Sequence, residues 1–271
     1  MRHRARTLLH FVGSGVVAIS TMVGHTFYTP VDVVRVILGE TVPGASFTVG
    51  ELRLPRALLA LFSGFAFGMA GVTFQTMLRN PLASPDVIGI TSGAALAAVL
   101  FIALLSSHVS IGWLPVAAML GALFAALLVV SLAWQRGISP ARLVLVGIGL
   151  AAAMGAGTTL LIVMSDDSTA MSAYTWLTGS LYAAQWADVS SLLPWLLLAT
   201  PVSFLLTRHA DTMALGDSVA QGLGVPLLRS RIVLLACSVV LAGAAVAVAG
   251  GLSFVGLMAP HLAARWVGRH L

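Results

Sequence analysis

The stretch ELRLPRALLALFSGFAFGMAGVTFQTMLRNPLASPDVIGITSGAAL, residues 51–96, decides the fold of this chain. It begins with two arginines around a proline at 53–56 and continues as an apolar run rich in small residues. It then breaks at 79–85 and starts a second apolar run. About 20 apolar residues cross the hydrocarbon core of a bilayer as a helix. The stretch therefore predicts two membrane helices, joined by a turn with an arginine, an asparagine and two prolines.

The composition of the whole chain agrees with a membrane protein. Of the 271 residues, 59% are hydrophobic and 8% are charged, and the mean hydropathy is +1.01. Soluble domains carry about 25% charged residues. The single Cys237 excludes a disulfide framework and a cysteine metal site. The basic residues are all arginines beside apolar runs, a distribution that favours topology signals over a nucleic-acid-binding surface.

Apolar runs of membrane length recur along the chain and predict an all-α polytopic membrane protein that forms a single domain over 1–271. The predicted spans are 8–26, 56–77, 87–106, 113–134, 141–164, 190–207, 231–250 and 252–268. We interpret the first as a retained helix rather than a cleaved signal peptide, because its apolar run is long and no good cleavage site follows. Eight spans place both ends of the chain on one side of the membrane.

The distribution of arginines predicts the orientation of these spans. With the N-terminus inside, eleven of the 14 arginines fall inside and only Arg35, Arg53 and Arg56 fall outside. Cytoplasmic loops carry the excess of positive charge in membrane proteins. We therefore expect the N-terminus to be cytoplasmic.

The inside segment 208–230 is too short to span and too apolar for a disordered tail. Its residues predict a short helix or turn over 211–217 and a second one over 218–223, broken by Gly222, Gly224 and Pro226. Two interpretations remain open here: a contact point for a cytoplasmic partner, or an interfacial helix that holds two spans together.

Small residues recur at helical spacing in two of the predicted spans. Gly64, Gly68 and Gly71 share one face of span two, and further glycines occur at 147–157 in span five. Such faces let helices approach closely through van der Waals packing. We expect them to be packing faces, although in transport proteins small faces also let helices slide.

Residue patterns for catalysis are nearly absent. No acid lies in the middle of a confident span, no His-x-x-x-His metal spacing occurs, and no G-x-x-x-x-G-K phosphate loop is found. If the protein uses ATP, another chain must bind it. One distant enzymatic alternative remains, an intramembrane dyad of Ser92 and His261, although a serine among small residues ordinarily serves helix contact.

The outside arginines Arg53 and Arg56 oppose the general trend and require a reason. One interpretation is that they reach lipid headgroups. The other is that they form a docking site for an acidic soluble partner, since arginine suits carboxylate recognition.

Four motifs carry a resemblance to a known family. They are R-L-P-R at 53–56, Q-T-M-L-R-N-P-L-A-S-P-D-V-I-G at 75–89, A-L-G-D-S-V-A-Q-G-L-G-V at 214–225 and G-L-S-F-V-G-L-M-A-P-H at 251–261. Their order and spacing resemble the FecCD-type permeases of ABC importers for iron–siderophore complexes and cobalamin.

The resemblance implies a type II ABC importer fold, in which two permease subunits pair around a central pathway. Two ATPases would bind inside, where the ATP is used, and a substrate-binding protein would dock outside, so that this chain itself binds no cofactor or metal. The resemblance implies docking of the binding protein at Arg53 and Arg56. Coupling to the ATPases is implied for Asp211, Ala214, Leu215, Gly216, Asp217, Ala220, Leu223 and Gly224. The pathway and its inner mouth are implied for Gln75, Asn80, Pro81, Pro85, Gly256, Pro260 and His261.

Within the family, the motifs look most like permeases for ferric hydroxamate or ferric citrate. Cobalamin, haem or free zinc or manganese remain alternative substrates. Members of the family typically have ten spans, and this sequence contains eight of them. We therefore expect the last two helices to be missing because the chain is a fragment, a split gene product or a degenerate subunit.

Overall fold

The computed structural model of the chain describes residues 13–267 except 136 and 138. This part of the chain folds into helices joined by short turns. The helices are α1 (Gly13–Met22), α2 (Pro30–Ile37), α3 (Ala45–Phe47), α4 (Leu54–Leu78), α5 (Ile90–Leu104), α6 (Leu114–Ala133), α7 (Pro140–Val163), α8 (Asp167–Thr178), α9 (Trp186–Leu205), α10 (Thr207–Ala214), α11 (Asp217–Gly222), α12 (Leu227–Ala249) and α13 (Val255–Val267). A π-helical segment, Thr48–Arg53, joins α3 to α4, and a 3-10 turn, Ile111–Trp113, precedes α6.

Five helices of the described residues are long and apolar enough to cross a membrane. They are Ala45–Leu78, Ile111–Ala133, Pro140–Val163, Trp186–Leu205 and Leu227–Ala249, and they contain or nearly match the predicted spans 56–77, 113–134, 141–164, 190–207 and 231–250. The prediction of a polytopic all-α protein is confirmed.

The other three predicted spans correspond to shorter helices. The span predicted at 8–26 is described only from Gly13, and its helix ends at Met22. Helix α5 has 15 residues and α13 has 13. At 1.5 Å per residue α5 is about 22 Å long, less than the roughly 30 Å hydrocarbon core, and α13 extends for about 20 Å as far as Val267, where the described residues end. Helix α5 starts only at Ile90 because the preceding turn continues to Gly89, whose φ is +83°.

Helix α12 lies at the centre of the bundle. It is the most buried of the five long helices and packs against α4, α5, α6 and α9. Most of its residues from Leu241 to Ala249 are alanine, glycine or valine and nearly all are buried. In lipid the association of helices depends on close van der Waals contact, which small side chains permit.

Helices α5 and α6 cross at two glycines. A Cβ on Gly93 would lie 2.6 Å from the carbonyl oxygen of Gly121, and a Cβ on Gly121 would lie 2.4 Å from the oxygen of Gly93. Only glycine fits on either side of this crossing.

The helix that contains α4 begins earlier than the sequence predicts. The predicted span starts at 56, whereas the structure is continuously helical from Ala45. Proline cannot donate a hydrogen bond and its ring crowds the carbonyl four residues back. The π-helical turns at Thr48–Arg53 widen the helix just before Pro55 and accommodate that ring. As a result, Arg53 and Arg56 lie on helical turns.

Candidate functional site

The turn between α4 and α5 is closed by its own polar residues. Arg79 ends α4 in the left-handed conformation, with φ +49°. The Asn80 side-chain oxygen accepts a hydrogen bond from the Leu82 N–H at 2.9 Å. Asparagine favours such a turn because its side chain satisfies the backbone locally. The R-N-P sequence therefore fixes a sharp exit from α4.

The turn is packed into the bundle by contacts with α4 and α13. The Gln75 amide donates to the Leu257 carbonyl at 3.3 Å. Pro85 lies 3.1 Å from the point where Gly256 would carry a Cβ. A Cβ on Gly71 would lie 1.8 Å from the Gly256 oxygen, so α4 and α13 touch backbone to backbone. The structure thus brings together Gln75, Pro85 and Gly256, three residues predicted to line the pathway.

The remaining predicted pathway residues do not join that contact. Asn80 and Pro81 are exposed on the turn. Pro260 lies within α13, and the Nδ1 atom of exposed His261 is 3.0 Å from the Leu257 carbonyl of its own helix. No described hydrogen bond joins Ser92 to His261, so the geometry gives the dyad alternative no support.

The predicted segment 208–230 contains two short helices, α10 and α11, followed by the start of α12. They are joined at Leu215 and Gly216, where Gly216 has φ +124°, a conformation that other residues rarely adopt. Ala220 is completely buried and fixes α11 against the bundle. Gly224, with φ +81°, turns the chain toward α12.

Asp217, the first residue of α11, joins three segments of the chain. Its two carboxylate oxygens accept from Arg231 Nη2 of α12 at 2.7 and 2.9 Å. One of them also contacts Arg79 Nη2 at the end of α4. The Arg231 side chain is only 8% exposed, whereas Asp217 and Arg79 are 44% and 39% exposed. A buried arginine needs such an anionic partner, while the exposed pair contributes only about 0–1 kcal/mol.

Several large apolar side chains of this segment are exposed. Leu215, Val219 and Leu223 follow each other at four-residue spacing and are 71%, 43% and 67% exposed. Asp211 and Ala214 of α10 are also exposed. We call Leu215, Val219 and Leu223 the outer apolar surface. Several exposed apolar side chains within one short segment typically mark an interaction site.

Arg53, at the N-terminal end of α4, makes its hydrogen bonds within this chain. Its Nη1 donates to the Thr21 and Met22 carbonyls at 3.1 and 3.0 Å, and its Nη2 donates to the Thr26 carbonyl at 2.7 Å. The guanidinium also stacks over the Tyr28 ring at 5.1 Å. The Thr21 and Met22 carbonyls lie at the end of α1, where carbonyls lack intrahelical partners, and the Thr26 carbonyl lies in the loop that follows. Most of its donors are therefore committed before any partner arrives.

Arg56 has a different environment from Arg53. It is exposed, and its guanidinium lies 5.6 Å from the centre of the Tyr182 ring. Nearby, the Trp186 indole N–H donates to the Gly50 carbonyl at 3.0 Å, which joins the start of α9 to the π-helical segment. Arg56 keeps its charge available at the surface.

Sequence patterns did not single out Arg231 or Val219 in this arrangement. They placed Arg79 in the polar turn at 79–85 but did not indicate Asp217 as its partner. The available signal for Arg231 was its place inside the apolar run of α12, where an unpaired arginine is costly. The signal for Val219 was its spacing of four from both Leu215 and Leu223.

The model of the FecCD transport family matches residues 12–271.

Several permease proteins are similar over most of this chain. The achromobactin transport system permease protein CbrC of Dickeya dadantii (strain 3937) is 48% identical over 252 residues, covering 93% of this chain and 72% of the relative. The Fe(3+)-citrate import system permease protein YfmE of Bacillus subtilis (strain 168) is 40% identical, with 92% and 74% covered. The iron(3+)-hydroxamate import system permease protein FhuG of the same organism is 37% identical, with 93% and 77% covered.

A solved structure also matches the fold. It is described as a metal-chelate type ABC transporter in an inward-facing conformation, and it aligns with a TM-score of 0.86 at 27% identity. The alignment covers 97% of this chain and 81% of that one. Nearly the whole described bundle therefore has a counterpart in that structure.

Proposed function

The chain belongs to the FecCD transport family, and we propose that it is a permease subunit of an ATP-driven importer for a ferric siderophore. The observation that supports the substrate class is what the similar permeases transport, since their alignments cover more than nine tenths of this chain. They are permeases for achromobactin, ferric hydroxamate and ferric citrate. The proposed cargo is accordingly a ferric chelate of the hydroxamate or citrate type, carried across the cytoplasmic membrane.

The end of the bundle with Arg79, Arg208, Arg229 and Arg231, here called the arginine-rich end, is proposed to face the cytoplasm. The excess of arginine over acid at this end supports that orientation. The N-terminus would then be cytoplasmic as well.

Two ATPase subunits are proposed to dock on the segment 208–230 at this end. The outer apolar surface supports this proposal, because it is exposed in the single chain and suits burial against another protein. ATP would be bound and hydrolysed by those subunits, and this chain would hold no cofactor of its own.

A second permease subunit, either a copy of this chain or a paralogue, is proposed to complete the pathway. The wall contributed by this chain would include the Gln75, Pro85 and Gly256 contact, with Asn80 and Pro81 on the adjoining turn. Pro260 and His261 of α13 are proposed to lie at the inner mouth.

A substrate-binding protein is proposed to dock at the opposite end, outside the cytoplasm. Arg56 offers an exposed charge for a carboxylate of that protein. Arg53 is proposed to support this docking surface by holding α1 against α4, since its donors already bind carbonyls.

Uptake of radiolabelled iron tests the proposed function. The chain would be expressed with its neighbouring permease, ATPase and binding-protein genes, and compared with a strain that lacks only this chain. We expect loss of ferric hydroxamate or ferric citrate uptake in that strain. Unchanged uptake of both chelates, together with loss of zinc, manganese, haem or cobalamin uptake, would contradict the proposed substrate class.

A further inference from the structure

We infer that Asp217 is a positioning residue, which links the coupling segment to the α4–α5 turn inside this chain, rather than a contact residue for the ATPase. This inference rests on the proposed function and deepens it. The sequence motif placed Asp217 among the residues that meet the ATPase. The structure turns its carboxylate the other way, toward Arg231 and Arg79.

The link joins elements that have different roles in the proposed transporter. Asp217 opens α11, which carries Val219 of the outer apolar surface and is flanked by Leu215 and Leu223. Arg79 is the residue at which α4 ends and the proposed pathway turn begins. The sequence separation of 138 residues between them means that only the tertiary fold creates this contact.

The two arginines differ in how firmly they hold the carboxylate. Arg231 is 8% exposed and belongs to α12, the most buried long helix. Arg79 is 39% exposed at the end of α4, where water screens its attraction to Asp217. A displacement of α11 would therefore change the contact of Asp217 with Arg79 before it breaks the contact with Arg231.

The surroundings leave room for such a displacement. A cavity of about 690 Å³ adjoins Asp217, between the first residues of α7 and α12, and Arg142 and Arg229 also line it. The outer apolar surface lies on exposed side chains, while the partly exposed Asp217 carboxylate faces Arg231 and Arg79. A partner that pushes on the surface would move α11, and the carboxylate would transmit the movement to the end of α4.

A double-mutant cycle tests this assignment. Asp217→Asn and Arg79→Gln are made singly and together in the assembled transporter, and chelate uptake, ATP hydrolysis and the amount of co-purified ATPase are measured. We expect each single change to lower uptake per ATP by about tenfold, while the co-purified ATPase stays within about twofold. The double variant should lose no more than the worse single variant, because Asp217→Asn already disrupts the contact that Arg79→Gln removes.

Two further variants guard against simple misfolding. Arg265→Gln removes an exposed arginine of α13 that lies outside the segment 208–230 and makes no described contact with Asp217, and it should leave uptake within about twofold of wild type. Asp217→Glu keeps the negative charge and should retain more uptake than Asp217→Asn. If Asp217→Glu is no better than Asp217→Asn, the ion-pair account is overturned.

Other results would overturn the inference directly. Loss of co-purified ATPase in Asp217→Asn, with normal ATPase binding in Arg79→Gln, would make Asp217 a partner contact. Full uptake in both single variants would show that the link transmits nothing. If the wild-type complex takes up no ferric chelate, the proposed function fails instead. The double-mutant cycle is then measured by the rate of ATP hydrolysis and the amount of assembled complex, and the same non-additivity is expected.

Discussion

The two ends of α4 each carry an arginine that binds a neighbouring segment, but the bound groups differ. At the N-terminal end of α4, Arg53 donates to three backbone carbonyls near the end of α1. At the arginine-rich end, Arg79 binds the carboxylate of Asp217, which Arg231 shares. Carbonyls at a helix end are held in place by the backbone. A carboxylate that two arginines share can instead exchange partners when its helix moves. The comparison indicates a fixed anchor at one end of α4 and a rearrangeable link at the other.

The largest expected effect comes from the backbone contact at Gly71, which lies in the last third of α4, between its two arginine ends. In Gly71→Ala the new Cβ would meet the Gly256 oxygen at 1.8 Å, a backbone atom that cannot rotate away. We expect destabilisation of about 3 kcal/mol or more, seen as a fall of about 6–12 °C in the Tm of the purified protein.

Gly64→Ala is the matched control on the same helix. Nothing lies within 4 Å of a Cβ at Gly64, so its stability should change by less than about 1 kcal/mol. Equal Tm values for Gly71→Ala and Gly64→Ala would contradict the backbone contact between α4 and α13. In that case α13 would not hold α4 in place between its two arginine ends.

The fixed anchor at Arg53 is tested by a variant with a smaller expected effect on stability. Arg53→Ala removes the three carbonyl hydrogen bonds and the stacking over Tyr28. Because the site is half-exposed, we expect a loss of about 2 kcal/mol in the free energy of unfolding. Thermal unfolding in detergent measures it.

Arg56→Ala is the control for Arg53→Ala and has the smallest expected effect on stability. It removes one exposed arginine whose described contact is with the Tyr182 ring, a loss of about 0.5–1 kcal/mol. Its expected effect is instead on the affinity of the substrate-binding protein, which should fall further in Arg56→Glu. If Arg53→Ala leaves stability unchanged and weakens docking as much as Arg56→Ala, Arg53 is a docking residue and not an anchor.

The long helices were predictable because their apolar length is a local property. The runs that became α4, α6, α7, α9 and α12 each reach about the length that a membrane span requires, and the predicted boundaries are close to those observed. The length of α5 was not predictable in the same way. The residues before it, Val87 and Ile88, continue the apolar run but lie in the turn, where they pack against Gly147 of α7. That contact depends on the tertiary fold.

The residue types of the candidate site were predictable, but the directions in which their side chains point were not. The motif indicated that Asp217 matters, and the sequence could not show which way its carboxylate points, because its partners come from α4 and α12. Arg53 was expected to meet lipid or a soluble partner. Neither interpretation included the end of α1, since nothing in the local sequence places those carbonyls beside α4.

The most direct test of the fixed and rearrangeable ends is a pair of distance measurements by electron paramagnetic resonance. In a Cys237→Ala background, spin labels are placed at exposed Val23 and Leu52 across the anchor, and at exposed Leu82 and Gln221 across the link. ATP binding to the assembled transporter should shift the second distance by about 2 Å or more and leave the first unchanged. A shift across Val23 and Leu52, or none across Leu82 and Gln221, would contradict the account.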